Sequence, residues 1–129
     1  MDLRGVIIEE SLDDKSILKQ FNIEKTEVET VTEEFGTPWL KKWTLHHVVV
    51  PEKDAERLAK LIGKHLDYSH KSSWYADYRN KSVHYIIFRE RVFKVDPTSA
   101  EEYRKVSEYG ISLGIPEHQV DFKPDAAKS

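Results

Sequence analysis

The chain has no cysteine, a single methionine and only five glycines, each isolated, among its 129 residues. Without cysteine there are no disulfides, thiolate nucleophiles or cysteine-bound zinc. Isolated glycines leave no G-x-G-x-x-G or Walker loop to cradle a phosphate. G-x-S-x-G and H-E-x-x-H are also missing, which removes the commonest hydrolase signatures. No apolar run approaches the roughly 20 residues of a membrane span. The opening MDLRGVIIEES holds an apolar stretch too short for a signal peptide, so a cytoplasmic protein is expected. Neither sign of charge dominates: 20 Lys and Arg face 23 Asp and Glu, a net of −3. Nothing global recruits nucleic acid or an anionic membrane, and nucleic acid is a disfavoured partner.

Charge itself is plentiful, at 33% of residues, and implies a heavily solvated surface. A chain of this length can bury roughly two-thirds of its extended surface, enough for one core without staples. Residues 1–122 are expected to form a single α+β domain and 123–129 a disordered tail.

Leu3 to Glu9 reads as a strand, with Val6, Ile7 and Ile8 apolar on both faces. Ser11 stands as an N-cap, with Asp14 at the third helical position, before a short helix through Ile17, Leu18 and Phe21. Ile23 to Thr32 alternates as a charged edge strand. Trp43 to Val50 is the third strand. From Pro51 to Leu66, apolar residues fall at Ala55, Leu58, Ala59, Ile62 and Leu66, one helical stripe. Lys53, Glu56, Arg57, Lys60 and Lys64 take its wet side. Trp74 to Val95 alternates apolar runs with the turns RNKS and RER, a three-stranded meander. Ser99 and Glu102 form a capping box for a last helix, stopped by Gly110, with Ile111 to Phe122 irregular. The order predicts an antiparallel sheet with helices mainly on one face. Its ferredoxin-like, split β-α-β core would be followed by the C-terminal meander and helix.

EESL, TPWLKKWTLHHVVVP, WYADYRNKSVHYIIFRERVFKVD and EYGISLGIPEHQVDF together resemble a family of small prokaryotic proteins with no assigned function. The likeness spans nearly the whole chain and implies a single-domain protein. It implies no reaction, cofactor or catalytic residue.

A two-residue turn at Asn80-Lys81 would set Tyr78 opposite Val83 and Asp77 opposite His84, with Phe88 meeting Phe93 across the next turn. A carboxylate beside an imidazole fixes the tautomer and makes an acid–base pair, so Asp77 and His84 are the candidate catalytic residues. The bland alternative is an ordinary cross-strand pair. His46 and His47 point to opposite faces and cannot chelate one ion, so no metal or cofactor is expected. His46 is placed on the outer face and His47 toward the helices. His65 and His70, and the acid pairs Asp13-Asp14 and Glu33-Glu34, read as solvated surface or caps.

Trp39, Trp43, Trp74, Tyr75, Tyr78 and Tyr85, with Lys41, Lys42, Arg79, Lys81, Arg89 and Arg91, would suit a single-stranded nucleic-acid platform, but no RNP phrase is present. The favoured function is a small binding or regulatory module acting through an open sheet face, with His46, Trp74, Tyr75, Tyr78 and Arg79 as binding residues. Its ligand would be a small molecule, a protein or a second copy of the chain. The alternatives are a small cofactor-free enzyme using Asp77 and His84, and an RNA-binding domain.

Overall fold

The computed structural model describes residues 1–30, 42–67, 74–115, 117 and 120–122. Glu33-Glu34, Trp39, Lys41, His70, Lys71, the loop 69–73 and the tail 123–129 lie outside these residues. The strands are β1 (Leu3–Ile8), β2 (Asn22–Thr30), β3 (Lys42–Val50), β4 (Ala76–Arg79), β5 (His84–Phe88) and β6 (Arg91–Val95). The helices are α1 (Ala55–His65) and α2 (Ala100–Ser112). All six strands form one antiparallel sheet in the order β2-β3-β1-β4-β5-β6. Strand β3 thus sits between β1 and β2, and β1 between β3 and β4. The first crossover, however, is made of 3-10 turns at Glu9–Ser11 and Lys15–Gln20 rather than an α-helix. The molecule therefore keeps the strand order 2-3-1-4 without the two-helix pattern of the ferredoxin-like expectation.

The expected Ser11 cap is replaced by Asp14, whose carboxylate accepts from the Ser16 N–H at 3.0 Å and the Ser16 hydroxyl at 2.5 Å. These bonds hold the Asp14 carboxyl below its ordinary range. The Ser11 hydroxyl instead donates back to the Ile8 carbonyl at 2.5 Å. β1 ends one residue early, at Ile8, so Thr44 in β3, which pairs with Val28 of β2, has no partner on its β1 side. The Glu10 carboxylate takes over, accepting from the Thr44 N–H at 2.6 Å and its hydroxyl at 2.8 Å.

Helix α1 buries Ala55, Leu58, Ala59 and Ile62, and Leu66 just past its end, as the stripe requires. They pack against Leu3, Ile7, Val48, Val50, Tyr78, Tyr85 and Ile87, with Ile17 and Leu18 of the 3-10 segment on the same side. Helix α2 takes the opposite face, where Tyr103 and Val106 meet Ile86, Phe88 and Val95. "Mainly on one face" therefore describes α1 and the 3-10 segment but not α2. Sequence period places each stripe; it cannot choose the face on which a terminal helix lands.

Ser99 accepts from the Glu102 N–H at 3.2 Å as the box predicts. The helix then runs past Gly110 to Ser112 and stops at Gly114, which has φ +90°. Ile115 N–H donates to the Gly110 carbonyl at 3.1 Å and Gly114 N–H to Ile111 at 2.9 Å, the two bonds of a Schellman cap. Gly110 is small for another reason: a Cβ there would lie 2.8 Å from Val120 Cγ1, whose segment folds back over the helix. No helix among the described residues is long and apolar enough to cross a membrane.

Candidate functional site

Strands β4 and β5 pair as Asp77↔Ile86, Tyr78↔Tyr85 and Arg79↔His84. The connection is thus four residues, Asn80–Val83, not the expected two. Asn80 causes the difference. Its side-chain oxygen accepts from the Ser82 and Val83 N–H groups at 2.8 and 2.9 Å, imitating backbone and widening the loop. Its amide donates to the Met1 carbonyl at 3.0 Å and to Glu52 at 3.2 Å. A shift of two residues preserves the face of every side chain. Asp77 and His84 therefore still share a face, as diagonal rather than direct neighbours. Phe88 and Phe93 are diagonal for the same reason, since Phe88 pairs with Arg91, and their ring centroids remain 5.8 Å apart.

The Asp77–His84 pair is formed: His84 Nε2 lies 2.7 Å from the Asp77 carboxylate. His84 Nδ1 lies 2.9 Å from the Tyr103 hydroxyl of α2. In the tautomer that carries its proton on Nε2, facing the carboxylate, the ring accepts the Tyr103 proton on Nδ1. The result is a continuous Asp77–His84–Tyr103 chain. Its outer end is partly exposed, the Asp77 side chain at 34%, while His84 is 5% and Tyr103 2% exposed. Phe122 roofs it, stacking on Tyr103 and standing edge-on to His84 and Tyr75. Burial, with the Asp77 charge second, holds the Tyr75 hydroxyl protonated well above its ordinary range. Tyr103 and Phe122 escaped the sequence reading. The helical spacing of Tyr103, Val106 and Gly110 signals a buried stripe, but nothing local says which strand it meets.

His46 is not part of this site. It lies on the α1 face, paired with Ile7, and His47 on the α2 face, paired with Val6, the reverse of the expectation. Val48, Val49 and Val50 are buried on both faces of β3, so this end of the strand could not choose. His46 is 8% exposed, with Nε2 3.0 Å from Glu9 and Nδ1 2.9 Å from the Thr26 hydroxyl. The two buried histidines are thus built alike, each with a carboxylate on Nε2 and a hydroxyl on Nδ1.

Trp74, Tyr78 and Tyr85 belong to the α1-side core, and the Tyr78 hydroxyl donates to the Ala55 carbonyl at 2.5 Å. Burial, then the neighbouring Tyr85, keeps that hydroxyl protonated far above its usual range. These rings fill the interior and offer no stacking surface. Arg79 and Tyr75 stay on the α2 face with Asp77.

Across that face the register lines up Val49, Arg4, Arg79 and His84 in one row. The next row is His47, Val6, Asp77 and Ile86. Helix α2 covers the β5 and β6 ends of the rows. Val6 and His47 lie outside its cluster and are partly exposed, while Ile8 and Leu45, also partly exposed, pack against the cluster that holds α1. Charges border this strip: Arg4 pairs with Glu24, and His47 Nε2 lies 2.7 Å from Glu27. The His47 bond, with Lys25 next, holds the Glu27 carboxyl below its usual value.

Comparison with protein-family models, with curated proteins and with solved structures gives no match. The resemblance noted from the sequence gains no support from them.

Proposed function

We propose that the protein is a small binding module of the cytoplasm whose ligand lies on the strip of sheet beside α2 that is partly exposed among the described residues. The observation that carries this reading is the offset position of α2. It covers β5 and β6 and leaves Val6 and His47 partly exposed, next to the outer edges of Ile8 and Leu45, which pack on the α1-side core, and bordered by Arg4, Asp77 and Arg79. An apolar floor with a few polar groups at its edge suits a small or peptide ligand. The Asp77–His84–Tyr103 chain is assigned a structural role, that of tying α2 to the sheet. His46 has the same construction at a place where it ties β2 and β3 to the turn after β1. Tyr103 also lies beneath Phe122, where a substrate would have to displace the ring to reach it.

Heteronuclear NMR of the labelled protein with a fragment mixture tests the assignment. Amide shifts should gather on Arg4, Val6, Ile8, Leu45, His47 and Asp77. Shifts confined to α1, or none on the strip, would remove the proposal. A dilution series on the same sample separates ligand binding from a second copy occupying the strip.

A further inference from the structure

The outer side of α1 runs against the charge of the whole molecule. The chain carries a net of −3, yet Lys53, Arg57, Lys60 and Lys64 stand in one exposed line along this helix and its entry turn. From Arg57 to Lys64 is seven residues, about 10 Å of helix. Arg57 has a carboxylate of its own, Asp54 at 3.5 Å, and a bond to Gln20 at 3.3 Å. Lys53, Lys60 and Lys64 enter no ion pair among the described residues, although Glu56 stands one turn before Lys60.

Two grooves flank this line. One of about 420 Å³ is lined by Gln20, Arg57, Lys60, Leu61 and Lys64. The other, about 370 Å³, is lined by Lys60, Gly63, Lys64, Glu90 and Val92. Lys60 and Lys64 belong to both and form the ridge between them. Leu61 and Val92 supply aliphatic floor. Gly63 lets the β5–β6 turn close the second groove, since its carbonyl accepts the Glu90 N–H at 2.9 Å and a Cβ there would lie 3.2 Å from the Phe88 carbonyl oxygen.

We propose that this surface docks an acidic peptide segment of a partner protein, with an aliphatic side chain set among its carboxylates. The cation line matches an extended row of carboxylates. The aliphatic residue fills a groove against Leu61 or Val92. A nucleic-acid strand fits less well, because among the described residues no aromatic ring lines either groove to serve as a platform for base stacking. Glu90 in the second groove directs the acidic cluster toward Arg57 and the first.

Fluorescence anisotropy on the full chain tests this with a short labelled peptide of glutamates bearing two leucines. The controls are the same peptide with glutamine for glutamate and a labelled oligouridine of equal length. The glutamate peptide should bind and weaken with added salt. Lys60→Glu with Lys64→Glu should cut its affinity at least about tenfold. Lys105→Glu on α2 should leave it unchanged, and circular dichroism checks that both variants are folded. Equal binding of the glutamine peptide, tighter binding of oligouridine, or unchanged affinity in the double variant would each overturn the proposal.

Discussion

Replacing Tyr103 by Phe removes the inner bond of the Asp77–His84–Tyr103 chain. The change removes one oxygen and leaves the ring between His84 and Phe122, so the cavity contribution is small. What it does remove is the partner of His84 Nδ1, 2.9 Å away on a ring that is 5% exposed. Nε2 is already committed to Asp77 at 2.7 Å, and the Phe122 ring blocks water from above. A buried polar atom left without a partner costs about 1–3 kcal/mol, against roughly 0.5 kcal/mol or less if solvent could replace the bond. Urea unfolding followed by circular dichroism at neutral pH resolves that difference, and the melting temperature should fall by several degrees. Asp77→Asn in the same background supplies a double-mutant cycle. Because both bonds orient one imidazole, the two losses should fail to add by about 0.5 kcal/mol or more. A Tyr103→Phe cost under about 0.5 kcal/mol, with additive effects, would show that the chain does not hold α2 on the sheet.

Three further outcomes are expected. At Gly5, where β1 meets β4, a Cβ would lie 1.9 Å from the Asp77 carbonyl oxygen and 2.6 Å from Tyr78 Cα. Both are backbone atoms, so Gly5→Ala should cost about 3 kcal/mol or more in urea unfolding or prevent folding. Glu90 holds φ 57°, a left-handed conformation that costs an L-residue about 1–2 kcal/mol, part of which the flexibility of glycine offsets. Glu90→Gly should therefore raise the urea midpoint by the equivalent of about 0.5–1 kcal/mol with an unchanged slope. The Glu27 carboxyl, held below its ordinary 4.5 by His47 and then Lys25, contributes stability that is present above that value and lost as pH falls through the lowered folded value. Wild type and Glu27→Gln should consequently differ most at pH above 4.5 and converge in acid, as read by thermal melts across pH.

Elements with a clean period were legible. The stripe Ala55, Leu58, Ala59, Ile62 and Leu66 repeats with the helical turn, and all five are buried. The alternation from Ala76 to Val95 gave the meander. In β2 the alternation is broken by a bulge between Ile23 and Lys25, which turns Ile23 to the face of Val48 and Lys25 to that of His47. The Asp77–His84 pair was readable because the expected loop of two residues and the observed loop of four keep the two side chains on one face, where a loop of three would have parted them. The loop itself was not readable, since the Asn80 side chain stands in for backbone there. His46 and His47 were interchanged because Val48, Val49 and Val50 are all buried, so strand β3 carries no polar side to orient it.

Where the period was unbroken, the element and its apolar stripe were therefore determined by the sequence itself, because period two and period 3.6 are local properties of the backbone. Partners were decided by the tertiary structure. Tyr103 reaches His84, and Phe122 covers Tyr75, only because α2 and the segment after it fold onto the face opposite α1. That choice depends on apolar contacts between residues far apart in the chain. The same docking leaves Val6 and His47 partly exposed among the described residues.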